Sequence, residues 1–168
     1  MDSGILKLLT TPEVKTIGVA MLPIFELRGS IPMALLHLKL AIWPAYFLSV
    51  FGNIIAIIPV LLFLGPVSSF LSRFRIFDRF FTWLFSRTRK RSRLVERLEL
   101  LGLILFVAIP LPMTGAWTGS VAAFLFDFGF PKSLVAIFIG VLIAGIIVTL
   151  ATLFGWHVFI KIKPICLV

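Results

Sequence analysis

The sequence predicts an all-α integral membrane protein, and three observations carry that prediction. Of its 168 residues 60% are hydrophobic and 14% charged, with a mean hydropathy of +1.14, far more apolar than the roughly half-apolar soluble average. Two uninterrupted apolar segments, Tyr46 to Leu64 and Ser133 to Trp156, are each about 20 residues, enough at about 1.5 Å per residue to cross a hydrocarbon core of about 30 Å. Two more apolar segments, Leu22 to Pro32 and Pro110 to Ser120, are broken by prolines, glycines and hydroxyl residues. Irregular backbone at membrane depth is tolerated only against protein or a water-filled cavity, so such breaks usually line a site.

The expected architecture is two repeats, each a re-entrant (broken) helical hairpin plus one transmembrane helix, joined by a basic amphipathic helix. All belong to a single membrane domain over residues 1–168, with repeat one over 13–65, the linker over 66–97 and repeat two over 98–160. In the first repeat Val14 to Leu22 and Ile31 to Leu40 flank the break. In the second, Leu100 to Ile109 and Ala116 to Phe126 do so. Each half, at about ten residues, reaches only about 15 Å, so it enters the bilayer and then turns back or continues through a kink. The N-terminal Met1-Asp2-Ser3-Gly4 lacks the basic region and cleavage site of a signal peptide, so the apolar segments are expected in the mature protein. The chain is long enough for one bundle and too short for an added soluble domain of ordinary size. The single Cys166 forms no intrachain disulfide and leaves the redox compartment open.

The linker holds the charge. Between Arg73 and Glu99 nine basic residues face three acids, supplying six of the nine net positive charges. Flanked by long apolar segments, this run reads as a topology signal rather than a nucleic-acid site, which puts the linker on the cytoplasmic side of the cell (plasma or inner) membrane. Phe70, Phe74, Phe77, Phe81 and Leu84 recur at helical spacing with Arg73, Arg75, Asp78 and Arg79 between them. That helix lies in the interface with its arginines at head groups, or packs on the bundle.

The two halves align. Gly29-Ser30-Ile31 matches Gly119-Ser120-Val121 at an offset of 90, Pro44 matches Pro131 at 87, and Gly52, Ala56 and Val60 match Gly140, Ala144 and Val148 at 88. A near-constant offset suggests an internal repeat. Re-entrant hairpins make the copies inverted, with the termini opposite the basic linker. Kinked full spans make them parallel, with both termini cytoplasmic. The short halves favour the first, whereas Lys161 and Lys163 favour the second.

Glu26 and Arg28 are the charges at membrane depth, where an ionisable group costs a few kcal/mol and tends to be paired or functional. They form a salt bridge that locks the hairpin, or they work: Arg28 binds an anionic head group through its planar donors while Glu26 takes up and releases a proton. A half-helix beginning near Gly29-Ser30 or Gly119-Ser120 would aim free N–H groups at an anion. Ser30, Thr114, Thr118 and Ser120 offer hydroxyls that bind substrate or cap their own helices. Pro32, Pro110, Pro112 and Gly115 shape the breaks, and Trp117 lines the site or packs the hairpins. Asn53, inside the first span, is a packing contact or a cavity residue. His37, Lys39, Asp127, Lys132 and His157 fall at span ends, where a head-group location explains them.

No enzyme motif survives. Two histidines 120 residues apart and one tail cysteine offer no metal-ligand spacing, and there is no phosphate-binding glycine loop, so no cofactor is expected and ATP-driven export is excluded within this chain.

The strings Pro23-Ile24-Phe25-Glu26-Leu27-Arg28-Gly29-Ser30-Ile31-Pro32 and Pro110-Leu111-Pro112-Met113-Thr114-Gly115-Ala116-Trp117-Thr118-Gly119 resemble the two signatures of the small multidrug export proteins, over about Pro12 to Trp156. That family is similar, more distantly, to the DedA and SNARE-associated Golgi protein (VTT) group. The resemblance implies two re-entrant hairpins in inverted repeat and a lipid flippase or scramblase fold, with undecaprenyl phosphate as the lipid in characterised bacterial relatives. The second hairpin of that group carries arginines, whereas here Arg28 is the only arginine in either broken segment.

The expected function is transport of an amphipathic, anionic substrate such as a lipid phosphate through a midplane cavity, with proton coupling as one version. Within transport the alternative is a small-molecule (multidrug) exporter with Glu26 as counter-charge. In another class stands a non-transporting scaffold or assembly protein whose hairpins are a packing core. The partners implied are membrane lipids, the substrate and further copies of the chain, not nucleic acid.

Overall fold

The computed structural model describes residues 11–71, 93–111 and 114–162. The N-terminal tetrapeptide, the basic run from Arg73 to Arg91, the amphipathic face beyond Leu71, Pro112, Lys163 and Cys166 lie outside the described residues. Every regular element described is helical: α1 (Pro12–Met21), α2 (Glu26–Pro32) running into a π-helical turn (Met33–His37), α3 (Ile42–Leu71), α4 (Arg93–Ala108), α5 (Ala116–Leu125) and α6 (Phe130–Ile162). Ile42–Leu64 and Phe130–Gly155 are long and apolar enough to cross a membrane. Both helices outrun the apolar stretches read from sequence, because a helix needs only continued backbone hydrogen bonding, not continued hydropathy. The chain forms two compact units, Met1–Asn53 with Ile143–Val168, and Ile54–Leu142.

In the first unit α1 opens on Pro12, whose fixed φ suits the first helical position and whose missing N–H would have no partner there. It stops at Met21 because Leu22 precedes Pro23 and is held extended, φ −75° and ψ 132°. Four residues later α2 restarts, and α1 and α2 pack along one another. Pro32 supplies no N–H to the Arg28 carbonyl, and the backbone widens into the π turn immediately after it. Lys39, at φ 53°, ends that turn in the left-handed region. α3 then approaches α1 closely at Gly52, where a Cβ would stand 2.6 Å from the Ile17 carbonyl oxygen and 3.0 Å from the Ala20 Cβ. Gly145 of α6 meets the Tyr46 ring of α3 in the same way, at 2.7 Å. Small residues at such crossings let helix backbones pack where the hydrophobic effect contributes little.

The second unit is built likewise. Val107 of α4 sits against two glycines: a Cβ on Gly119 would stand 2.5 Å from its Cγ2, and one on Gly140 would stand 2.7 Å from its Cβ. The break here runs from Ile109 to Gly115, α4 and α5 pack together, and Asp127 at φ 55° closes the short arm.

Burial repeats along the long helices. Ala45, Ser49, Gly52, Asn53, Ala56 and Ile57 are buried, and so are Ser133, Ile137, Gly140, Val141, Ala144 and Gly145, 88 residues later. The exposed Phe47, Phe51, Ile55 and Ile58 correspond in the same way to Val135, Ile139, Ile143 and Ile146. On the short arms, buried Glu26, Leu27, Ser30, Ile31 and Ala34 correspond to Gly115, Ala116, Gly119, Ser120 and Ala123 at an offset of 89. The matching Gly-Ser letters at offset 90 are therefore one residue out of the burial register. Ile31 is fully buried, whereas Val121 is 45% exposed.

Gly52→Ala should lower the midpoint of thermal unfolding in detergent, because overpacking against backbone costs about 1–3 kcal/mol and outweighs the better helix propensity. Gly102→Ala, with nothing within 4 Å of the added Cβ, should leave the midpoint unchanged or raise it, by up to about 1 kcal/mol. Lys39→Gly should also raise it, since glycine adopts positive φ without the strain of a side chain.

Candidate functional site

The first break is a turn of four residues, Leu22 to Phe25, whose apolar tip is exposed, Ile24 at 84%. The Glu26 N–H donates to the Leu22 carbonyl at 3.0 Å, and Glu26 itself adopts φ 43° before α2 winds on. A left-handed non-glycine residue costs about 1–3 kcal/mol and persists where surroundings enforce it, often at functional sites. Its side chain is only 8% exposed. Gly29 is the companion requirement: a Cβ there would stand 2.8 Å from the Phe25 Cβ, so the turn that buries Glu26 leaves no room for a side chain at 29.

Glu26, Arg28, Gly29, Ser30 and Pro32 thus share one short helix. Arg28 and Pro32 are half-buried, and Ser30 is fully buried. Asn53 belongs to the same unit, on α3, at 0% exposure. Neither its amide oxygen nor its amide nitrogen has a hydrogen-bond partner, and the Ser30 hydroxyl has none either.

Two expectations about the backbone are corrected. α2 starts at Glu26, not near Gly29-Ser30, and α5 starts at Ala116, not near Gly119-Ser120. The Gly29 N–H is already donated to the Phe25 carbonyl at 2.9 Å, and the Gly119 N–H to the Gly115 carbonyl at 2.8 Å. Neither glycine presents the free donor that an anion seat requires. Moreover, the first residue of α2 is an acid, which takes the positive end of the helix dipole for itself.

The second break, in the other unit, spends its hydroxyls locally. Thr114 Oγ1 donates to the Ile109 carbonyl at 2.7 Å, lies 2.9 Å from the Leu111 carbonyl and accepts the Leu111 N–H at 3.1 Å, closing the loop around Pro110. Thr118 donates to the Gly115 carbonyl at 3.3 Å and Ser120 to the Ala116 carbonyl at 2.8 Å. All three hydroxyls are spent on carbonyls of their own segment, those of Thr118 and Ser120 on the turn before them within α5 rather than on a helix end. Gly115 is buried, Trp117 and Pro110 are half-buried, and Gly119 admits Val107. His37, Lys39, Asp127 and Lys132 are exposed at the turns.

Ser49 was missed by the sequence reading. It is fully buried, its hydroxyl has no partner, and it lies one helical turn before Asn53 on the same face of α3. The i, i+4 spacing of two polar residues inside an apolar span was the signal.

No curated protein and no solved structure matches the chain. A family model described as "Putative small multi-drug export protein" matches residues 26–147, from the buried Glu26 just after the first break, through the first span and the second break, and into the second span. That match covers most of the chain, and with two helices long and apolar enough to cross a membrane the chain is a membrane protein of the small multi-drug export protein family.

Proposed function

We propose that this chain is a transporter that moves an amphipathic, anionic substrate such as a lipid phosphate, flippase-like, rather than an enzyme. Glu26 carries the reading. It is an acid buried within an apolar broken segment, held at a strained φ, with Arg28 two residues further along the same helix. A buried charge and a left-handed residue are each costly, and their coincidence in a short arm is what a working site explains. Arg28 supplies the planar donors suited to a phosphate, and Glu26 a proton acceptor whose charge can change as the cavity opens to either face.

Re-entrant hairpins are supported by the packing of α1 on α2 and of α4 on α5, since a kinked span would carry its two halves apart. An internal repeat is supported by the burial register at offsets of 88 and 89. Inverted copies with discontinuous helices are a recurring transporter design, and a DedA-like arrangement of that kind is part of this proposal. The basic linker belongs on the cytoplasmic side of the plasma or inner membrane by the charge rule. Membrane lipids and further copies of the chain are the expected partners. The second reading is export of small cationic compounds, which the family description favours, with Glu26 as the counter-charge.

Reconstituted into liposomes, the protein should move a fluorescent lipid phosphate, and Glu26→Gln and Arg28→Ala should each abolish that movement while Lys39→Ala leaves it intact. Ethidium efflux lost in Glu26→Gln alone would instead establish the second reading. Unchanged movement of both probes in both variants would remove Glu26 and Arg28 from the site. Single cysteines at positions 4 and 90, in a Cys166→Ser background, should label from opposite faces of the membrane. Labelling from the same face would eliminate the inverted hairpins.

A further inference from the structure

Ser and Thr in these helices generally satisfy themselves. Thr16, Ser120, Ser133, Thr149 and Thr152 each donate to the carbonyl four residues back, at 2.7 to 3.2 Å. Ser30 and Ser49 do not, although each has such a carbonyl one turn away, and both are fully buried. Asn53 adds an orphaned donor and an orphaned acceptor. An unmade hydrogen bond in a dry interior costs about 1–3 kcal/mol per group, so these atoms together are a large liability unless something fills them.

The fold does not require polar residues there. At the corresponding positions of the second long helix, 88 residues on, Ser49 becomes Ile137 and Asn53 becomes Val141, at 0% and 1% exposure. The same register is thus packed with ordinary apolar core in one copy and with unsatisfied polar groups in the other.

The chemistry of the orphans selects the ligand. A bare cation would satisfy the Asn53 carbonyl oxygen and leave its amide N–H groups unmade, whereas an anion would do the reverse. Exchanging the amide oxygen and nitrogen does not alter this, because both are orphaned. Only a species that donates and accepts serves both, and Ser hydroxyls are equally two-way. We propose that the Ser49–Asn53 face of α3 is a hydration site, holding ordered water inside the unit formed by Met1–Asn53 and Ile143–Val168, with Ser30 of the same unit as a further water ligand. Each water then bridges two or more groups, as buried waters do. Resting on the transporter reading above, the water keeps the half of the molecule that carries Glu26 and Arg28 wet enough for proton or head-group passage.

Hydroxyl-radical footprinting of the full chain in liposomes, read by mass spectrometry, tests the water directly. Oxidation at the buried Val50, Ala56 and Ile57 should fall several-fold in Ser49→Ala with Asn53→Val, while oxidation over 133–145 stays unchanged. Unchanged oxidation at Val50, Ala56 and Ile57 in the double variant overturns the proposal. The same double variant should unfold at an equal or higher temperature, since it replaces polar groups whose partners are water by apolar groups of similar shape. A lower temperature means that protein atoms already satisfied them, and also overturns it. Lipid-phosphate movement in this variant should fall about tenfold, the equivalent of about 1.4 kcal/mol. Unchanged movement removes the functional role of the water. Because footprinting and unfolding read the water without any transport, loss of the Glu26 and Arg28 reading would leave those two results standing.

Discussion

Close approach of helix backbones through glycine is the constraint on which the rest of this structure depends. Gly52 admits the Ile17 carbonyl and Ala20 of α1, and Gly140 admits Ile104 and Val107 of α4. In both cases the arm preceding a break is pressed onto a long apolar helix with no side chain between. Within a bilayer lipid tails are as apolar as leucine, so helices gain little by hiding apolar surface from them. Packing then depends on contact area and small residues. The first arm is only ten residues and would be marginal alone, since isolated helices below about 12–15 residues are weakly stable in water. Anchored on a long helix, each arm can end in a break without unravelling.

The breaks then follow from local chemistry. Pro23 ends α1 by forcing Leu22 extended, and the turn restarts in a left-handed Glu26 whose geometry demands glycine at 29. In the second break a threonine hydroxyl does the closing, tying Ile109 and Leu111 to position 114. The two solutions leave different residues behind. One buries an acid at the start of its short helix; the other buries Gly115 in the corresponding position. The asymmetry extends to the long helices, where Ser49 and Asn53 correspond in register to Ile137 and Val141. One register carries buried polar groups, and the other carries apolar core.

Much of this was legible in the letters. The spans near 46–64 and 133–156, the breaks around Pro23 and Pro110, and Glu26 and Arg28 as the embedded charges follow from hydropathy and breaker residues, which act over a few positions. The starts of α2 and α5 were misread by about three residues, because Gly-Ser resembles a helix start by propensity while the backbone hydrogen bonds of Gly29 and Gly119 were already committed. Ser120 and Thr118 were legible only as alternatives, substrate donor or cap, since a hydroxyl's partner depends on its rotamer.

By itself the sequence determined the class, the helical content and the positions of the breaks, since each depends on local composition and on the period of the helix. Only the tertiary structure decided which polar groups are buried without partners, which glycines are irreplaceable and in what register the halves correspond. Those are properties of what lies opposite a residue. A chain read in one dimension records that Ser49 and Asn53 are polar and one turn apart. That no hydrogen-bonding group among the described residues meets them is a fact about the neighbours, and no reading of the letters alone contains it.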